Sequence, residues 1–237
     1  MVAPEPTSRL IAELPSANRR LLDTVTQLSD DSVLRPSLLP GWTVGHVLSH
    51  IARNADALVN LCDWARTGVR KPMYVSMEAR EADIADGAAR PLPEQLKDIA
   101  DSEARLLERF ENLPADAWAV EVSWPSGAVR TASQVVTARL NELEVHHVDL
   151  GLGYTFDDVP AGSRDALLTY TTSRWPSGFP VVLESSDTTW SSPVRPAGAR
   201  IVTGGSAALL SWVLGRSDGS ELGREPGGAL PEPPPWG

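Results

Sequence analysis

The chain has 237 residues, of which 42% are hydrophobic and 22% charged, and a formal net charge of −10. That composition excludes global disorder. Acidity without any Lys/Arg cluster excludes a surface that tracks nucleic-acid phosphates. No apolar run approaches the ~20 residues a membrane span needs, and one cysteine excludes a disulfide framework or a multi-cysteine zinc finger. At about 150 residues per domain, the length fits two small domains. The opening MVAPEPTSRL has no apolar core, so no leader is expected and the expected compartment is a reducing cytoplasm.

The first ~150 residues read as helices. Residues 8–28 place Leu10, Ile11, Leu14, Leu21, Leu22 and Val25 at helical spacing. Pro40-Gly41 breaks the chain, and Thr43 is the expected N-cap of a second helix running to about Thr67, where Gly68 stops it. Its apolar stripe is Val47, Ile51, Ala55, Leu58 and Cys62. A loop with Pro72, Met73 and Tyr74 precedes a helical stretch over 77–84. Pro93-Glu94 opens a third long helix, with Leu96, Ile99, Ala100, Leu106, Leu107 and Phe110 on its apolar side. Residues 124–127, WPSG, form a turn. Thr131-Ala132-Ser133-Gln134 carries the capping-box pattern for a fourth long helix ending near Leu150-Gly151. Four long amphipathic helices with modest connections predict a bundle.

Beyond Gly151 the composition shifts to Pro, Gly, Ser and Thr. Short β-like runs at 180–183 and 199–203 accompany helical pieces near 163–174 and 206–214. The expected organisation is a helical bundle over 1–152 and a small α+β domain over 153–237. Within the latter, the tail 223–237 is too rich in Pro and Gly to be regular, with Trp236 available to dock it. Gly204-Gly205-Ser206 offers backbone N–H groups to an anion but lacks the full phosphate-loop pattern, and it reads as a turn.

All four histidines fall in two of the predicted helices. His46 and His50 share a face of the second helix, and Glu142 and His146 share a face of the fourth. Any one histidine reads as a solvated or hydrogen-bonded helix residue. Their segregation points to a metal site between facing helices, suited to Zn²⁺ with Ni²⁺, Co²⁺ or Fe²⁺ as competitors. If His46 joins His50, Glu142 and His146, the site is closed and structural; with three ligands it keeps an open position for Lewis-acid chemistry. His147, about 100° around the helix from His146, has no ligand role. Asp149 is available as a partner that orients a ligand, or as a cap. Cys62 lies about 18 Å along the helix from His50 and belongs to the core. Any thiol chemistry would need a thiol from outside.

The segments LPGWTVGHVLSHIARNADALVNLCDWARTG, PMYVSMEAREADIADGA and RLNELEVHHVDLG resemble the mycothiol-dependent maleylpyruvate isomerases of the DinB-like metal-binding bundle superfamily. The resemblance continues to a C-terminal GRSDG and the end PEPPPWG. It implies a DinB-like four-helix bundle followed by a sterol-carrier-like α+β domain, a zinc triad of His50, Glu142 and His146, and an essential arginine at Arg216. From its position alone, Arg216 reads as a cation favoured at a helix C-terminus. The implied cosubstrate is mycothiol and the implied substrate a dicarboxylate, isomerised from maleylpyruvate to fumarylpyruvate, with the protein expected as a monomer. Tyr74 and Arg80 are available to line the cleft, Arg80 by pairing a substrate carboxylate. A mycothiol S-transferase is the alternative activity, and a non-enzymatic small-molecule-binding protein the third reading.

Overall fold

The computed structural model describes residues 3–225 and 227–235. Helix α1 spans Thr7–Val25 and tolerates Pro15 within it. It buries Leu14, Ala17, Leu21 and Val25, whereas Leu10, Ile11 and Leu22 of the predicted stripe are only partly covered. A 3₁₀ turn at Asp30–Leu34 leads to α2, Val44–Thr67. Thr43 caps α2 through its side chain. Gly68 ends it at φ +71°, a left-handed conformation that a Cβ disfavours. The stripe of Val47, Ile51, Ala55, Leu58 and Cys62 is wholly buried. At roughly 1.5–3 kcal/mol for each large apolar side chain, such stripes supply most of the drive to pack.

Helix α3, Met77–Ala88, runs four residues beyond the predicted stretch and packs on α2. The two come unusually close: a Cβ on Gly45 would lie 1.9 Å from the Ala88 carbonyl oxygen, and one on Gly87 2.2 Å from Ser49 Oγ. Helix α4 spans Leu92–Glu111. Its buried face includes Gln95, Ser102 and Glu103, while Ala100 of the predicted apolar side is exposed. Polar groups occupy that face because each has a partner. Gln95 donates to the Ala88 and Arg90 carbonyls, and Glu103 accepts from Arg139.

The predicted turn at 124–127 is present, flanked by the short antiparallel strands β1, Glu121–Ser123, and β2, Val129–Thr131. Thr131 therefore pairs with Glu121 in this ladder and does not cap a helix. Helix α5, Ser133–Asp149, starts after Ala132 without any side-chain cap, which corrects the capping-box expectation. Nor is α5 amphipathic, since nearly every residue from Val135 onward is buried. Helices α1, α2, α4 and α5 form the bundle, with α2 against α4 and α5, and α1 against α5 and α4.

Residues up to Tyr154 make up this unit, and a second begins at Thr155. The second unit contains α6, Ala161–Thr172, α7, Ser206–Val213, and a three-stranded sheet in the order β3-β4-β5. Strands β3, Val181–Ser185, and β4, Arg200–Gly204, pair in parallel. Strand β5, Gly223–Glu225, adds to β4 antiparallel. The tail 223–237 thus begins with an edge strand, contrary to its expected irregularity; Trp236 lies outside the described residues. Leu183, Val202, Leu209, Leu210 and Trp212 fill the core of this unit. Gly205 and Ser206 form the start of α7, where Ser206 N donates to Asp187 Oδ1 at 2.7 Å, so the anion at that turn belongs to the chain itself. Among the described residues, no helix is long and apolar enough to cross a membrane.

Candidate metal centre

The position of His50 follows from how α2 begins. Thr43 Oγ1 accepts from His46 N, while Thr43 N donates to His46 Nδ1 at 3.3 Å, a reciprocal cap with an imidazole where Glu or Gln is usual. His46 is thereby committed to the helix start. One turn on, His50 faces α5, 4% exposed, its ring edge-on to that of Trp42 with the two ring centres 5.5 Å apart. On α5, Glu142 and His146 share a face. His50 Nε2 lies 3.0 Å and His146 Nε2 3.4 Å from Glu142 Oε2, and the two imidazoles meet edge-on at 4.7 Å. The three donor atoms fall within 4.8 Å of one another.

Hydrogen bonding sets the protons. Asp149, fully buried one turn beyond His146, places Oδ2 2.9 Å from His146 Nδ1. A carboxylate only accepts, so His146 Nδ1 carries hydrogen and Nε2 points toward Glu142. Arg80 of α3 places Nη2 3.2 Å from His50 Nδ1. A guanidinium only donates, so His50 Nδ1 accepts and Nε2–H points to Glu142.

Burial holds His50 down to about 4, against weaker upward pulls from Glu142. Burial would also raise Glu142, but hydrogen bonds from His146 and His50 outweigh it and hold the carboxyl well below its usual range. For His146 burial pulls down, yet Asp149 and Glu142 on either side win and raise it. When His146 is protonated, its Nε2–H points at Glu142, into the place that a cation would take.

The donor set fits a divalent transition ion: two imidazole nitrogens and one carboxylate on facing helices, one imidazole already oriented by a carboxylate. Ligation through His50 Nε2 requires its other tautomer, and Arg80 must then release Nδ1, because two donors cannot face each other.

His147 turns away, as its helical phase demands, with Nε2 2.8 Å from Thr24 Oγ1 and its ring stacked on Tyr154 at 3.6 Å. Cys62 is 1% exposed, and burial pushes its thiol up to about 12. Tyr74 lies beneath Arg80, whose guanidinium carbon is 5.6 Å from the ring centre. Arg216 is in the second unit, just past α7, with Nη1 donating to the Leu214 carbonyl at 2.6 Å. Trp42 and Asn54 were not singled out from sequence. Trp42 had one signal, its place directly before the cap residue of the histidine-bearing helix. Asn54 is tied to the buried Arg139.

A family model described as "Mycothiol maleylpyruvate isomerase N-terminal domain" matches residues 14–151. A crystal structure titled mycothiol-dependent maleylpyruvate isomerase is 31% identical, with a TM-score of 0.84 over 98% of this chain and 97% of its own. A second, of an isomerase of the same name with one histidine replaced by alanine, has a TM-score of 0.83 at the same identity and coverage. No curated protein matches the chain.

Proposed function

Because the chain belongs to the mycothiol maleylpyruvate isomerase family, we propose that it isomerises maleylpyruvate to fumarylpyruvate by reversible addition of the mycothiol thiolate. The observation that carries this reading is the cluster of His50, Glu142 and His146, two buried imidazoles about a partly exposed carboxylate, in a chain whose own thiol is sealed in the core. A divalent ion held by the three, Zn²⁺ first among the candidates, would lower the pKa of a coordinating thiol and so supply the nucleophile at neutral pH.

The chemistry needs no net proton or electron. The sulfur lone pair attacks one alkene carbon conjugated to the ketone, and the π pair moves onto the ketone oxygen as an enolate. The former double bond, now single, rotates. Collapse of the enolate expels the thiolate and leaves the trans alkene, with the thiol regenerated.

The chain's own residues have three tasks. Asp149 holds His146 in the tautomer that presents Nε2. The bundle core holds α2 and α5 in fixed register, through Arg139 of α5 donating to Asn54 and to the Ile51 carbonyl of α2. A dianionic substrate also needs cations. We assign one carboxylate to Arg216, whose fork suits bidentate pairing.

The test is an absorbance assay with maleylpyruvate on zinc-loaded protein, with and without mycothiol. Turnover that needs both thiol and metal, and vanishes in His50→Ala, is the expected result. No turnover with one metal bound per chain overturns the isomerase reading, and screening of electrophiles with mycothiol would then test the S-transferase.

A further inference from the structure

The first unit carries a cavity of about 390 Å³ between the loop at 70–77 and the turn joining β1 to β2. Its volume falls within the roughly 300–1,000 Å³ of small-molecule sites. The walls are chemically mixed in a particular way. The lining includes the aromatic residues Trp64, Trp124 and Tyr74, the hydroxyl residues Ser76 and Ser123, the apolar Met73 and Met77, and the exposed Arg70. Flat apolar faces edged with uncharged donors and acceptors match a polyol ring, which shows C–H groups on its faces and hydroxyls around its edge. A dicarboxylate fits poorly, since the lining offers one cation and that one is solvated.

Trp124 is held firmly for such a role. It closes the β-turn through Trp124 N to the Ala128 carbonyl at 2.8 Å and Gly127 N to its own carbonyl at 2.9 Å. Arg130 packs on its ring at 5.4 Å. A ring fixed in this way loses little freedom when a ligand settles on it.

One wall of the cavity is connected to the metal centre through side-chain contacts. Tyr74 lines it, and Arg80 bridges from the Tyr74 ring to His50 Nδ1. Burial, and after it the charge of Glu142, raises the Tyr74 hydroxyl above its usual range.

We propose that this cavity holds the amino-sugar and cyclitol portion of mycothiol, so that the cysteinyl sulfur extends past Tyr74 toward His50, Glu142 and His146. The proposal rests on the thiol-dependent reading above and assigns the cosubstrate's polyol to the first unit, with Trp124 as its stacking platform.

The test is isothermal titration of the full chain with glucosaminyl-inositol, the thiol-free part of mycothiol. Saturable binding by the wild type is expected, weakened at least tenfold in Trp124→Ala and restored in large part in Trp124→Phe. Ser123→Ala, which leaves the hairpin backbone unchanged, should weaken it by a few-fold and decides the matter if Trp124→Ala does not fold. N-acetylcysteine, a thiol without the polyol, should bind wild type and variants equally. Absence of glucosaminyl-inositol binding by wild type, or equal binding by folded variants, overturns the proposal. Because the titration involves no maleylpyruvate, it stands apart from the isomerase assay: failed turnover with intact polyol binding sinks only the reaction, and the converse sinks only the cavity assignment.

Discussion

His146 Nδ1 and Asp149 Oδ2 lie 2.9 Å apart, one helical turn from each other on α5 and out of contact with solvent. The pair fixes which nitrogen of His146 faces Glu142. Asp149→Asn keeps the shape but lets an amide N–H face Nδ1, which favours the wrong tautomer. Metal affinity should fall about 10- to 100-fold, read by competition with a chromophoric chelator. Unchanged affinity would show that helix phase alone orients the ring.

Metal binding should be strongly pH-dependent. The folded pKa of His146 is raised above 6.5, so the uncharged ring must be regained before Nε2 can ligate. Affinity therefore rises with pH through 6.5 and up to that raised value, then levels. Calorimetry in buffers of different ionisation enthalpy should detect proton release approaching one per ion below that point and declining above it. A pH-independent affinity would contradict the proton placed between His146 and Glu142.

Arg80 both opposes a cation electrostatically and holds His50 in the tautomer that cannot ligate through Nε2. Both effects act in one direction. Arg80→Leu should bind the metal about tenfold more tightly, equivalent to ~1.4 kcal/mol. Weaker binding in this variant would mean that the contact supports the site.

Arg139 and Glu103 form an ion pair inside the bundle, both essentially without solvent exposure, with Nε–Oε2 at 2.8 Å. Glu103→Gln strands a buried guanidinium and should cost about 3–5 kcal/mol in urea unfolding. Joint replacement by Glu103→Leu and Arg139→Met should cost less than the sum of the single changes. Additivity would show that the two side chains act independently.

Cys62 should resist a disulfide reagent such as DTNB in the native state and react promptly in denaturant, because its thiol is buried and held protonated up to about 12. Rapid native labelling would return an internal nucleophile to consideration.

The helices bearing the site were legible because their signals are local. A cap at Thr43, a stop at Gly68 and i,i+4 spacing at Glu142 and His146 fix phase without reference to the rest of the chain. His46 was not legible, since its imidazole fills a capping place for which Glu or Gln is the usual cue. Thr131 misled because a ladder to Glu121, ten residues earlier, outweighs its local preference for a cap. Strands of three residues, β1, β2 and β5, are too short to show a period-two pattern, and β5 needs only backbone groups to add to an edge. Glu103 reads as a surface acid until its partner Arg139, in another helix, is known.

The close approach of α2 and α3 at Gly45 bears on how the protein can drift. With the Ala88 backbone 1.9 Å from where a methyl would stand, position 45 tolerates no side chain without α3 moving away. That displacement would carry Arg80 from His50 and loosen Tyr74 as well, so a change at a residue touching no ligand would be felt at the metal centre. In a randomised library sorted only for folded protein, glycine should persist at 45. Gly87 should admit alanine more readily, because the Ser49 hydroxyl opposite it can rotate aside.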